Sequence, residues 1–181
     1  MWYYCFAHGA YHFVRWFPKE ARRGVRIFCI FISLLFVVPQ IIVLTYDSVN
    51  RYCNQPLLNL AVISLGMTFA MIGFTFLFTM MEPVPWKLKI GFHFFGGFSL
   101  LIGMIQFGIT LDSDHCDKTT PHLYVLSLSF GILAFVATIF MCLVAPFWFV
   151  EYFCSGAVLN RKERRGVCYE PVKCCSCIWH V

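Results

Sequence analysis

Charge is scarce in this chain: 13% of its 181 residues are Asp, Glu, Lys or Arg, against about 25% in an ordinary soluble domain. The nine acidic residues all fall outside the long apolar runs, which removes the paired carboxylates that acid–base or di-metal catalysis would need there. There is no Gly-rich phosphate loop and no His-Glu-x-x-His, and the pair His8 and His12 is too sparse for a di-metal centre. No Asn-x-Ser/Thr sequon is present, so no N-linked glycan is expected. Nothing here reads as an enzyme, and no cofactor is implied.

What the chain has in abundance is apolar surface. Hydrophobic residues make up 60% and aromatics 19%, with a mean hydropathy of +0.73, the composition of a membrane protein. Charge-free runs at 27–46, 57–81, 90–111 and 123–150 are each long enough, at about 1.5 Å per residue, to cross a hydrocarbon core of about 30 Å. They take most of the chain and leave no room for a soluble catalytic or DNA-reading domain. Pro56 opens the second run, Pro83 and Pro85 follow it, and Pro121 precedes the fourth. Pro39 and Pro146 lie inside runs and predict kinks in the first and fourth helices.

The basic residues set an orientation. Arg15, Lys19, Arg22, Arg23 and Arg26 precede the first run, Lys87 and Lys89 lie between the second and third, and Arg161, Lys162, Arg164, Arg165 and Lys173 follow the fourth; the other two connections hold only Arg51 and Lys118. The positive-inside rule then predicts cytoplasmic N- and C-termini, with loops 47–56 and 112–122 outside or lumenal. Trp16, Trp86 and Trp148 fall at the cytoplasmic boundary and Tyr46, Tyr52 and Tyr124 at the opposite one. The net charge of +5 is spread along the flanks of the spans, which suits membrane lipids and not nucleic acid. The expected fold is all-α: an integral-membrane four-helix bundle over 25–153, preceded by an N-terminal segment 1–24 and followed by a cysteine-rich cytoplasmic tail over 154–181.

Residues 1–24 do not read as a cleaved signal, since their basic residues follow the aromatic stretch. On a helical wheel His8, His12, Arg15 and Lys19 form a polar stripe opposite Trp2, Phe6, Phe13 and Phe17. That pattern predicts a helix lying in the cytoplasmic interface and ending near Pro18.

The cysteines divide by compartment. Cys53 and Cys116 stand one in each outer loop, where an oxidising environment favours either a disulfide between the two hairpins or, if the loops lie apart, two free thiols. Cys29 and Cys142 lie within spans and read as small core residues. Cys154, Cys168, Cys174, Cys175 and Cys177 are juxtamembrane and mixed with basic residues, a setting for S-palmitoylation. The alternatives are free thiols or a metal site of Cys168, Cys174, Cys177 and His180, whose spacing matches no paired Cys-x-x-Cys framework.

Inside the spans the polar residues that stand out are Gln40, Asn59 and Gln106, all in the outer third. Amides in hydrocarbon need partners, so they either bond helix to helix or line a polar cavity. His93 and Glu151 could pair at the inner boundary. Ser99 and Gly103 on the third run, with Ser127, Gly131, Ala134 and Thr138 on the fourth, offer faces for close helix approach.

At Cys53-Asn54-Gln55-Pro56, followed by an apolar span carrying Gly66, and again at Cys116 followed by Leu123-Tyr124, the chain resembles the transmembrane protein 272-like family over residues 27 to 145. The resemblance implies a small four-span protein with one cysteine in each outer loop; it supplies no catalytic residues. The first loop lacks the Trp and paired cysteines of claudins, and the second lacks the cysteine-rich domain of tetraspanins. The expected function is therefore a non-catalytic accessory or scaffolding subunit of a larger complex such as a channel or receptor, in the plasma membrane or another secretory-pathway membrane. The alternative is a self-associating ring whose pore is lined by Gln40, Asn59 or Gln106, with Asp112, Asp114 and Asp117 at its mouth.

Overall fold

A computed structural model describes residues 1–50, 53, 55–81, 84–113 and 115–153, with side chains to residue 146 except that of Asn50. The chain divides into two units, Met1–Ala137 and Thr138–Val181, and the packing below belongs to the first. Its helices are α1 (Trp2–Trp16), α2 (Arg22–Leu35), α3 (Val37–Leu44), α4 (Leu57–Met80), α5 (Trp86–Leu111), α6 (Cys116–Thr119) and the beginning of α7 (Pro121–Phe153), with a 3₁₀ turn at Asp47–Asn50. No strand occurs among the described residues.

Four helical stretches are long and apolar enough to cross a membrane: Arg22–Leu44, Leu57–Met80, Trp86–Leu111 and Pro121–Pro146. They match the four charge-free runs. The first span is broken as Pro39 predicts, because a ring at 39 removes one N–H and crowds the carbonyl four residues back; α2 ends at Leu35 and α3 restarts at Val37. The Gln40 side chain donates to the Phe36 carbonyl at 2.7 Å, which satisfies the backbone at the break. Pro146, by contrast, lies within an uninterrupted α7.

The inside of the bundle mixes aromatic rings with hydroxyls, amides and small residues, and its outside is large and apolar. On α4, Leu60, Ser64, Met67, Met71, Thr75 and Phe78 recur at helical spacing along one buried face. Phe94, Phe98, Leu101 and Ile105 form an exposed stripe on α5, a surface that water would not tolerate at this extent. Such a distribution suits lipid, where burying apolar groups in protein gains nothing and internal contacts are chosen for close packing and hydrogen bonding. Between α5 and α7 the small residues do this directly: a Cβ on Gly103 would lie 2.6 Å from the Ala134 Cβ, and one on Gly131 would lie 3.0 Å from the Phe107 ring.

Cys53 and Cys116 form a disulfide with Cα atoms 5.1 Å apart. It places the two loops at one end of the bundle, so the spans run up and down in turn. Under it lies an apolar cluster of Val49, Leu57, Leu60, Ala61 and Leu123, and Gln55 donates to Asp112 across the same end at 3.4 Å. The opposite, basic end carries Arg22, Arg23, Arg26, Lys87 and Lys89, with Trp16 and Trp86 exposed there.

Candidate functional site

Two polar regions fill the interior, one in the half nearer the disulfide and one in the half nearer the basic end. The first is built from Gln40, Ser64, Thr68, Gln106, Thr110 and Ser127, all buried. Gln40 donates to the Thr68 hydroxyl at 2.7 Å, and Thr68 donates to the Ser64 carbonyl at 2.8 Å. Ser64 donates to the Gln106 carbonyl oxygen at 2.8 Å, while the Gln106 amide reaches the Ser127 hydroxyl at 3.3 Å. Ser127 and Thr110 share a further bond at 2.7 Å. This layer ties α3, α4, α5 and α7 together. Of the two uses open to the span amides, Gln40 and Gln106 are placed in bonds between helices.

Asn59 stands apart from this layer. It stands in the first turn of α4 on the exposed side, five residues before Ser64, and five residues rotate a helix by well over a third of a turn. Gln40 and Gln106 also do not bond each other; each meets a hydroxyl on α4. Cys29 is buried as expected, whereas Cys142 is exposed. The tail cysteines Cys154, Cys168, Cys174, Cys175 and Cys177, with His180 and the side chain of Glu151, lie outside the described residues.

The second region is α1, and here structure and sequence expectation differ most. The helix forms over Trp2–Trp16 and ends at Phe17, whose ψ of 151° is extended because the next residue is proline. It does not lie apart in the interface. It is inserted among the spans, parallel to α4: Tyr3 donates to the Ser64 carbonyl at 3.3 Å near its start, and Arg15 donates to the Phe78 and Met81 carbonyls at 3.3 and 3.1 Å near its end. The Met1 nitrogen donates to the Ser99 carbonyl at 2.7 Å, and Ser99 lies about 20 Å along α5 from the basic end at about 1.5 Å per residue. Trp2 stacks on Phe130 of α7 with centroids 5.4 Å apart, and Tyr4 stacks on Phe92 at 4.3 Å. Gly96 is required at the Tyr4 contact, since a Cβ there would sit 2.6 Å from the ring. Ala10 and Val14 cover Cys29 on α2.

The reason for the difference is the solvent. A polar stripe turned outward would face lipid, so His8 and Arg15 turn toward the bundle and Phe13 and Phe17 turn out. Arg15 finds ideal partners: the last carbonyls of α4 have no intrahelical donor and carry the negative end of the helix dipole, and the guanidinium also lies 3.4 Å over the Tyr11 ring. The histidines fare worse. Neither His8 nitrogen has a hydrogen-bond partner, nor does His12 Nε2, Thr75 Oγ1 or Ser99 Oγ, and all five atoms are buried. Each such atom costs about 1–3 kcal/mol. Burial, and then the charges of His12 and His93, push the His8 imidazole down to about 3, so it is neutral. His12 is shifted the same way by burial and by Arg15. The rings of His8 and His12 are 4.7 Å apart, yet among the described residues no three His, Cys, Asp or Glu converge to hold a metal ion.

Sequence reasoning found the amides and the loop cysteines but missed Ser64, Thr68, Thr110 and Ser127 as their partners, and Gly96 as a seat. The signal available was spacing: Ser64 and Thr68 are four apart on one face of a span. No family model, curated protein or solved structure matches the chain.

Proposed function

We propose that this is a non-catalytic four-span membrane protein, with both termini cytoplasmic, that packs its helices against a larger membrane complex such as a channel or receptor as an accessory or scaffolding subunit. The observation that carries the reading is that Gln40 and Gln106 are bonded inside one copy, with only Asn59 of the three span amides left on the exposed side. Gln40 and Gln106 bond to Thr68, Ser64 and Ser127, so they are not offered to a lumen, and what each copy presents outward is an apolar surface. A pore-forming ring would need those amides to face its axis. Contact with a partner of like character rests on helix packing, which needs no further polar machinery. The cysteine-rich tail adds a second membrane attachment in this reading: acyl chains on Cys174, Cys175 and Cys177, beside Arg161, Lys162, Arg164 and Arg165, hold it along the cytoplasmic leaflet of a secretory-pathway or plasma membrane.

Purification from native membranes in mild detergent tests this. A stoichiometric second membrane protein is expected. A monodisperse monomer without partner overturns the reading, and conductance of a purified oligomer in liposomes would replace it with the ring. Acyl-exchange labelling that finds no thioester on the tail would remove the acylation.

A further inference from the structure

We propose that α1 is a reversible plug: it fills a cavity among α2, α4 and α5, with Phe130 of α7 at the inner end, that opens at the basic end, and it leaves and re-enters as a unit about the turn at 17–21.

One half of the bundle is joined largely without it. The disulfide, the apolar cluster beneath it and the bonds from Gln40 through Thr68, Ser64 and Gln106 to Ser127 all lie in that half. The one α1 side chain that reaches them is Tyr3, which shares the Ser64 carbonyl with Thr68. The seat of α1 is shaped in advance by the spans: Gly96 leaves the space that the Tyr4 ring occupies, and Phe92 forms its wall. Withdrawal moves no span, because α1 joins α2 through a short turn beginning at Pro18, closed by the Pro18 carbonyl and by Arg22 donating to the Phe17 carbonyl.

The interface itself is built to be left. Unpartnered buried atoms collect along it: both nitrogens of His8 and Nε2 of His12 on α1, Ser99 Oγ at its tip, and Thr75 Oγ1 on the α4 face along which α1 runs. Each regains hydrogen bonds when the cavity floods. Against that stand the aromatic contacts, the bonds of the Met1 nitrogen to Ser99 and of Tyr3 to Ser64 at the inner end, and a latch at the mouth, Arg15 on the last carbonyls of α4. The helix also has a second resting place. With His8, His12, Arg15 and Lys19 on one side and Phe6, Phe13 and Phe17 on the other, it suits the plane of the leaflet once withdrawn. The docked helix uses only part of that amphipathic pattern, leaving Phe13 and Phe17 exposed. When α1 is out, the basic end opens on a pocket reaching to Ser99, about 20 Å deep, walled by Phe36, Phe78 and Phe92 with Thr75 and Ser99 as polar groups.

Cys29, buried under Ala10 and Val14, reports the motion. The full chain in lipid nanodiscs is treated with a membrane-impermeant maleimide, and labelling at Cys29 is followed by peptide mass spectrometry. Native Cys29 is expected to label slowly but to completion, as opening events expose it. Gly96→Leu, which denies Tyr4 its seat, is expected to raise the rate at least about tenfold with the Cys53–Cys116 disulfide intact, and adding Tyr4→Ala is expected to return it to within about threefold of native. Arg15→Ala, which removes the latch without a clash, is expected to raise it several-fold. A native Cys29 that never labels while Gly96→Leu labels fully would show a fixed helix and overturn the proposal. Unchanged rates in both variants would do so too. Aggregation of Gly96→Leu with loss of the disulfide would make α1 part of the fold, with the same consequence.

Discussion

The two halves of the bundle interior treat polar side chains in opposite ways. Near the disulfide, Gln40, Ser64, Thr68, Gln106, Thr110 and Ser127 are joined across four helices by bonds of 2.7 to 3.3 Å. Near the basic end, His8 and His12 enter the core with ring nitrogens that meet nothing. His8 is buried as the layer is, so burial alone does not separate them. What does is whether the partner sits on a span or on a helix hung from one end. A hydroxyl–amide layer between spans is permanent and is paired at all but Gln40 Oε1, whereas α1 must also be stable in water or at a leaflet surface, where imidazoles and Arg15 are assets.

The largest effect should come from cutting the cross-link above the paired half. Because the disulfide closes a separation of 63 residues, Cys53→Ser with Cys116→Ser is expected to destabilise the bundle by up to about 4 kcal/mol, read as a lower midpoint of thermal unfolding in detergent. Reductant should then have no further effect on the double variant.

The sharpest test of the contrast is a pair of substitutions with opposite signs. His8→Leu removes two unpartnered nitrogens and keeps the volume, so α1 docking should strengthen by about 1–3 kcal/mol. Gln106→Leu strands the Ser64 hydroxyl, while Ser127 keeps Thr110, and should weaken the bundle by about 1–2 kcal/mol. Hydrogen exchange of α1 amides reads the former, and unfolding of the spans the latter. If both variants destabilise, the two halves are not different in kind.

Acid should separate the halves too. The His8 pKa is about 6.5 when α1 is free and is pushed down to about 3 when docked, so the docked form binds fewer protons. Docking is therefore at full strength above about pH 6.5 and weakens as pH falls below it. Exchange protection of α1, corrected for intrinsic rates and compared with α4, should fall between pH 7 and 5 in the native chain and fall less in His8→Leu. The paired layer holds no titrating group and should not respond. The smallest effect is expected at Asn59, whose exposed side chain belongs to neither half; Asn59→Ala should change stability by less than about 0.5 kcal/mol.

Much of the frame is written in the sequence. Charge-free length fixed the four spans, since a bilayer imposes its thickness on any chain that crosses it. Pro39 placed the break between α2 and α3 because the missing N–H is a local fact, and Pro18 ended α1 for a similarly local reason. One cysteine per loop limited the outer pairing to Cys53 with Cys116. Tertiary structure alone decided which amide turned inward, for Asn59 and Gln106 look alike as residues at membrane depth and differ only in helix rotation. It alone decided where α1 goes as well. Amphipathicity says that a helix has two faces and not which neighbour each will meet; the seat at Gly96, the bare carbonyls at the end of α4 and the stacking of Tyr4 on Phe92 exist only once four spans are assembled.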